Sequence, residues 1–288
     1  MVVDIVFLQT LVNGLLQGSI YGLVALGLTL IWGVMRVINL AHGEFIILGA
    51  YTAFWMFTLY SLQPLISLLI GIPLGFLIGI VIYVGLVKRV VNGPELSSLL
   101  VFFGLSMILQ NLMLTYWTAD VRGLPILYAS INIGSITIVG DRLIASVIAI
   151  ILSTFLLILL KYTYFGRSIR AVVQDTDAAM LMGVNVNYIY AMSMSIGIIL
   201  TFLGGILIAL TTPFTPYQGG IYTLYSFLIV VLGGLGNPLG SLFGGLLIGI
   251  IESYTATYWS SGISPAVAFL LLLLVLIIKP EGIFSRRR

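Results

Sequence analysis

The chain is predicted to be an all-α integral membrane protein, a polytopic bundle of about eight to ten transmembrane helices, some of them broken or short. Three observations predict this. Mean hydropathy is +1.21. Of the 288 residues, 60% are hydrophobic and only 7% charged, far from the composition of a soluble domain. Apolar runs of 16 or more residues recur along the whole length, as expected of bilayer-crossing helices. The runs do not alternate in polarity, which argues against a transmembrane β-barrel.

Taken in order, the apolar segments are 5–35, 43–62, 64–87, 96–117, 143–160, 186–211, 218–236, 238–259 and 263–278. A helix needs roughly 20 residues to span the hydrocarbon. Segment 5–35 is too long for one upright helix, so it either tilts or splits near Gly14–Gly18. No soluble stretch exceeds about 25 residues, and residues 1–288 read as a single transmembrane domain. Asp4 stands where a cleavable leader would carry basic residues, so no signal peptide is expected.

Orientation follows from the cations. Of 12 Lys and Arg residues, ten lie in one alternate set of loops: Arg36, Lys88, Arg89, Lys161, Arg167, Arg170, Lys279 and Arg286–Arg288. Only Arg122 and Arg142 lie in the other. The first set is assigned to the cytoplasm, which places the C-terminus inside and loop 118–142 outside. The closing arginines read as an anchor at anionic lipid. The net charge of +3 is a topology signal and not a sign of nucleic-acid binding.

The longest outer loop contains Ile131–Val139, whose alternation predicts a short hairpin. The longest inner loop, 161–185, has Ile169, Val172, Val173 and Thr176 at helical spacing. Asp175 is placed to cap a following turn, Asp177 falls in that first turn, and Gly183 is placed to end it. Two short amphipathic helices outside the bilayer are expected.

Glycines recur at intervals of four: Gly14, Gly18, Gly22; Gly71, Gly75, Gly79; and Gly240, Gly244. Such ladders let another helix approach closely. The stretch Gly233–Gly240 contains Pro238 and breaks an apolar run. It reads equally as a helix break lining a cavity or as an ordinary inner turn.

Polar groups inside apolar segments are costly and mark function. The densest cluster is 36–44, with Asn39, the sole histidine His42, and Glu44. These and Glu252 are the candidate translocation-path residues. The structural alternative makes Asn39 a helix cap with Glu44 in the first turn, and Glu252 a paired carboxylate. Tyr116–Trp117, Tyr258–Trp259, Tyr217, Tyr222 and Tyr225 read as aromatic belts at the outer interface. With no cysteine and one histidine, thiol chemistry is excluded, no metal site is expected, and no cofactor is implied.

Several ordered strings resemble a known family. Gly27-Leu-Thr-Leu-Ile-Trp-Gly33, Ile38-Asn-Leu-Ala-His-Gly-Glu44 and Gly49-Ala-Tyr51 are similar to permease subunits, of the H type, from bacterial ABC importers for branched-chain amino acids. So are Gly166-Arg-Ser-Ile-Arg-Ala-Val-Val-Gln-Asp175, the run 178–184, the run 231–246 with Glu252, and the tail Lys279-Pro-Glu-Gly-Ile-Phe284. The resemblance implies an importer permease of the bacterial inner membrane, moving leucine, isoleucine or valine by alternating access. It implies a homologous second permease, two ATPase chains and a periplasmic solute-binding protein as partners. It makes 166–183 the coupling segment, with Ile169, Val172 and Val173 forming an apolar edge and Arg167 and Arg170 facing acidic ATPase residues. Permeases for urea and short amides look alike, so that substrate class stays open. The rivals are an ion-coupled secondary transporter using Glu44 or Glu252, a membrane-embedded enzyme and a passive channel.

Overall fold

The structure, a computed structural model, describes residues 2–125, 127–279 and 282–283. The arginine anchor 286–288 and residues Pro280, Glu281 and Phe284 of the tail lie outside the described residues.

Helix α1 (Val2–Met35) is unbroken over 34 residues, about 51 Å at 1.5 Å per residue. The proposed split at Gly14–Gly18 does not occur, because those glycines are seated against another helix. Arg36, at φ +53°, ends α1. Residues 36–41 then run into the interior, where α2 (His42–Tyr60) begins. Helix α3 (Ser67–Ile82) passes through a π-turn over 83–87 into the short α4 (Lys88–Val90). Helix α5 (Glu95–Trp117) leads to the expected hairpin, β1 (Ile131–Ile133) and β2 (Ile136–Ile138), paired Ile131 with Ile138. Gly134 turns it at φ +61°. The Gln9 side chain donates to the Thr137 carbonyl at 2.8 Å and accepts from its N–H at 2.9 Å, tying the hairpin to the start of α1.

Helix α6 (Gly140–Tyr162) is followed by α7 (Tyr164–Gln174) and α8 (Thr176–Leu181), the two short helices expected in loop 161–185. Then come α9 (Val186–Thr211), α10 (Gly219–Gly233), α11 (Pro238–Tyr258) and α12 (Ser264–Ile278). Among the described residues, seven helical segments are long and apolar enough to cross a membrane. The other two apolar segments form α2 and α10, which start inside the bundle.

Helices α1 and α9 are central: 89% and 83% of their apolar windows are buried, against 17% for α5 and α12. The glycine ladders explain why helices pack here. A Cβ on Gly14, Gly18 or Gly22 would meet Ile250, Leu246 or Leu242 of α11. A Cβ on Gly75 or Gly79 would meet Ile199 or Ser195 of α9, and one on Gly71 would meet Ile206. Gly240 faces Gly233, and Gly244 faces Ile229. Backbones in such contacts gain dispersion along their length with no side chains between them. The two halves thus repeat one plan. A long central helix is followed by a segment entering the interior, a helix starting there, and a glycine-notched helix packed on the other half's central helix. Repeats built around discontinuous helices are a common transporter architecture.

The break at Gly233–Pro238 is a turn between α10 and α11, not a cavity-lining break. Gly234 and Gly236 adopt φ +85° and +76°, and Pro238 occupies the first turn of α11, where its missing N–H costs nothing. Ile283 N–H donates to the Leu232 carbonyl at 2.9 Å, so the tail folds back onto this turn.

Candidate functional site

The interior starts of α2 and α10 meet. Gly43 has room only for hydrogen, because a Cβ would overlap the Gly219 carbonyl. Asn39, His42 and Glu44 are all buried, at 0%, 0% and 2% exposure. Asn39 does not cap α2. Ala41 occupies that position with no side-chain cap bond, and neither polar atom of the Asn39 amide has a partner. Glu44 does lie in the first turn, favourable to the helix dipole. Its Oε1 accepts from Ser106 of α5 at 2.8 Å, while Oε2 has no partner. His42 Nε2 lies 3.1 Å from the Val24 carbonyl and therefore donates to it. Thr201 Oγ1 stands 3.3 Å from the same nitrogen and donates to Gly197 at 2.8 Å. His42 thus links α2 to α1 through Val24 and to α9 through Thr201.

Glu252 of α11 is half-buried in a second cluster. The Tyr21 and Tyr225 hydroxyls approach its carboxylate, yet Oε2 completes no hydrogen bond. The Tyr21 ring lies 5.5 Å from that of Tyr225 and 6.5 Å from that of Tyr222. Tyr222 and Tyr225 are buried, at 9% and 3% exposure, so they are not belt residues. Helix α10 starts inside the bundle, which turns its first turns inward. Trp117 also departs from the belt reading: it stacks on Tyr51 at 4.1 Å. Tyr116, Tyr217, Tyr258 and Trp259 are exposed, as belt residues are.

Loop 161–185 forms a defined module. Thr163 Oγ1 accepts from Gly166 N–H at 3.2 Å and caps α7. A Cβ on Gly166 would strike the Leu160 carbonyl. Asp175 Oδ1 accepts from the N–H groups of Asp177 and Ala178 at 3.0 and 2.9 Å, the expected cap of α8. Gly183, at φ +84°, lies just beyond the helix end. The faces differ from expectation. Ile169 and Val172 are turned into the protein, at 7% and 2% exposure, whereas Val173 is outside at 41%. Arg170 donates to the Leu160 carbonyl, and Arg167 to the Tyr162 carbonyl at 3.4 Å, so both cations satisfy the last carbonyls of α6. The apolar surface left exposed is the end of α8: Met180, Leu181 and Met182 at 50%, 88% and 84%. A cleft of about 430 Å³ lies beside α7, bordered by residues 33–37, 90–95 and 172–176.

Among the described residues there is no group of three or more His, Asp or Glu placed to hold a metal ion. Chemically, these arrangements offer buried polar contacts, a tyrosine-flanked carboxylate and a projecting apolar tip.

The family model described as the branched-chain amino acid transport system / permease component matches residues 10–278. The chain belongs to that family. It is 32% identical to the high-affinity branched-chain amino acid transport system permease protein LivH of Escherichia coli K12, over 97% of this chain and 96% of that protein. It is 30% identical to the corresponding permease protein BraD of Pseudomonas aeruginosa, with the same coverage. Among solved structures, PsaBC from Streptococcus pneumoniae in complex with Fab aligns with a TM-score of 0.53 at 12% identity, covering 98% of this chain and 97% of that one. The latter likeness is one of fold alone. This permease is therefore a multi-pass membrane protein of the transport class.

In this permease the path candidates fall into two places. Asn39, His42 and Glu44 sit at the meeting of α2 and α10; Glu252 sits in the tyrosine cluster. Sequence reasoning missed Tyr21, Ser106, Thr201 and Thr223 as members of these clusters. Each is an ordinary polar residue in an apolar run, and the only available signal was its presence there.

Proposed function

We propose that this permease is one membrane half of an ATP-driven importer for branched-chain amino acids in the bacterial inner membrane, with its C-terminus in the cytoplasm. ATP hydrolysis belongs to partner ATPase chains that dock on α7 and α8. A solute-binding protein delivers substrate at the hairpin side, and a homologous permease supplies the other half of the path. The observation that carries the reading is the projecting tip Met180–Met182, held on a rigidly capped helix pair at the cation-rich end of the bundle. An exposed apolar triplet outside the bilayer needs a protein partner. Val173 of α7 is also exposed, at 41%. Movement of α7 would change the cleft between α1, the start of α5 and α7, which connects docking to the inner end of the path. Alternating access then follows from tilting the central helices.

The test is uptake into liposomes holding the assembled complex. Labelled leucine should accumulate only with the binding protein outside and ATP at the ATPase side. Uptake that survives ATP depletion but collapses with an ion gradient would move the protein to the ion-coupled class, with Glu44 as the coupling acid. Transport of urea or acetamide in place of leucine would change the substrate class.

A further inference from the structure

We propose that Glu252 and the cage of Tyr21, Tyr222 and Tyr225 form a station that holds the ammonium group of the amino acid in transit. The inference rests on the amino-acid reading above and adds the place where the permease grips its substrate. Three observations carry it.

The first is the carboxylate itself. Glu252 Oε2 is buried and without a partner, although two tyrosine hydroxyls stand beside the carboxylate. A buried acceptor left open in an apolar helix awaits a donor. The second is the cage. Three tyrosine rings converge here, with centroids 5.5 and 6.5 Å apart. Aromatic faces beside a carboxylate are the chemistry that receives an ammonium group.

The third is the lining. Val24, Ile46, Ile208 and Ile229 line a crevice together with the tyrosine rings, a surface suited to a branched aliphatic side chain; Glu252 adjoins it through the Tyr21 and Tyr225 hydroxyls rather than lining it. The crevice is too narrow in this conformation to hold a water molecule. The station is therefore closed here, and occupying it requires α10 to move from α1.

The test uses the assembled complex in liposomes and reads leucine moved per ATP hydrolysed. The parent complex must first move leucine; if it does not, the amino-acid reading fails and not this one. Given parent transport, Glu252→Gln should lower leucine per ATP about tenfold, the effect of one charged contact, while binding-protein-stimulated ATP hydrolysis persists. Glu252→Asp should restore much of the ratio. An unchanged ratio in Glu252→Gln overturns the proposal. So does loss of uptake and hydrolysis in equal proportion, which is the mark of a structural role. If Glu252→Gln does not assemble, Tyr225→Phe decides in its place: a lowered ratio supports the station and an unchanged one overturns it.

Discussion

The backbone N–H of Gly43 donates to Thr223 Oγ1 at 2.8 Å, and the Thr223 hydroxyl donates to the Leu40 carbonyl at 3.3 Å. One side chain of α10 therefore satisfies the backbone on both sides of the start of α2, across 180 residues of sequence. Thr223→Val keeps the shape and removes the acceptor. It should cost about 1–3 kcal/mol, the penalty of a buried donor left open. In detergent this reads as a fall of about 2–4 °C in apparent Tm for each kcal/mol lost. Thr223→Ser should stay near the parent. A Val variant that melts with the parent would remove this bond from the contacts that hold the two helix starts together.

Two glycine substitutions should give opposite results. A Cβ at Gly49 would collide with the Phe202 carbonyl of α9, whereas one at Gly104 meets nothing within 4 Å. Gly49→Ala should abolish recovery of monodisperse protein in detergent. Gly104→Ala should leave recovery unchanged or better, since alanine is favoured in helices by about 1 kcal/mol. Size-exclusion profiles of the two variants check both statements, and equal recovery would refute the close packing of α2 on α9.

The exposed end of α8 should decide ATPase docking. Leu181→Asp with Met182→Asp should leave insertion and melting intact but abolish co-purification of the ATPase chains. Val172→Asp should act differently, because Val172 is buried against its own chain. An unpaired carboxylate there costs several kcal/mol, so this variant should lose folded protein before any question of docking arises. Normal co-purification with the doubly charged tip would refute the assignment.

Sidedness can be read chemically, since the chain contains no cysteine. A cysteine at Asn132 in the hairpin should react with an impermeant maleimide added to intact cells. A cysteine at Arg167 should react only after the cells are opened. The reverse pattern would invert the topology.

Much of the fold was legible because its signals are local. Nine apolar segments, the alternation at Ile131–Val139, the Asp175 cap and the glycine ladders all act over a few residues, and each formed. What failed was the direction in which a face is turned. Periodicity groups Ile169, Val172 and Val173 on α7 but cannot say that the first two are covered by the same chain. Tyr222 and Tyr225 read as belt residues because α10 was placed at the boundary, whereas its start is pinned inside by Gly43. Asn39 read as a cap because the residue type favours caps. Partners such as Ser106 for Glu44 come from distant helices, and nothing in the local pattern names them.

Helix α1 has no proline and no break between Val2 and Met35. It behaves mechanically as one stiff rod. Its Met35 end borders the cleft beside α7, and Tyr21 stands 14 positions back along it, about 21 Å away. A rod with no hinge cannot absorb a sideways push at one tip. A displacement of that tip is therefore carried along the helix toward the tyrosines, with no other element needed to relay it.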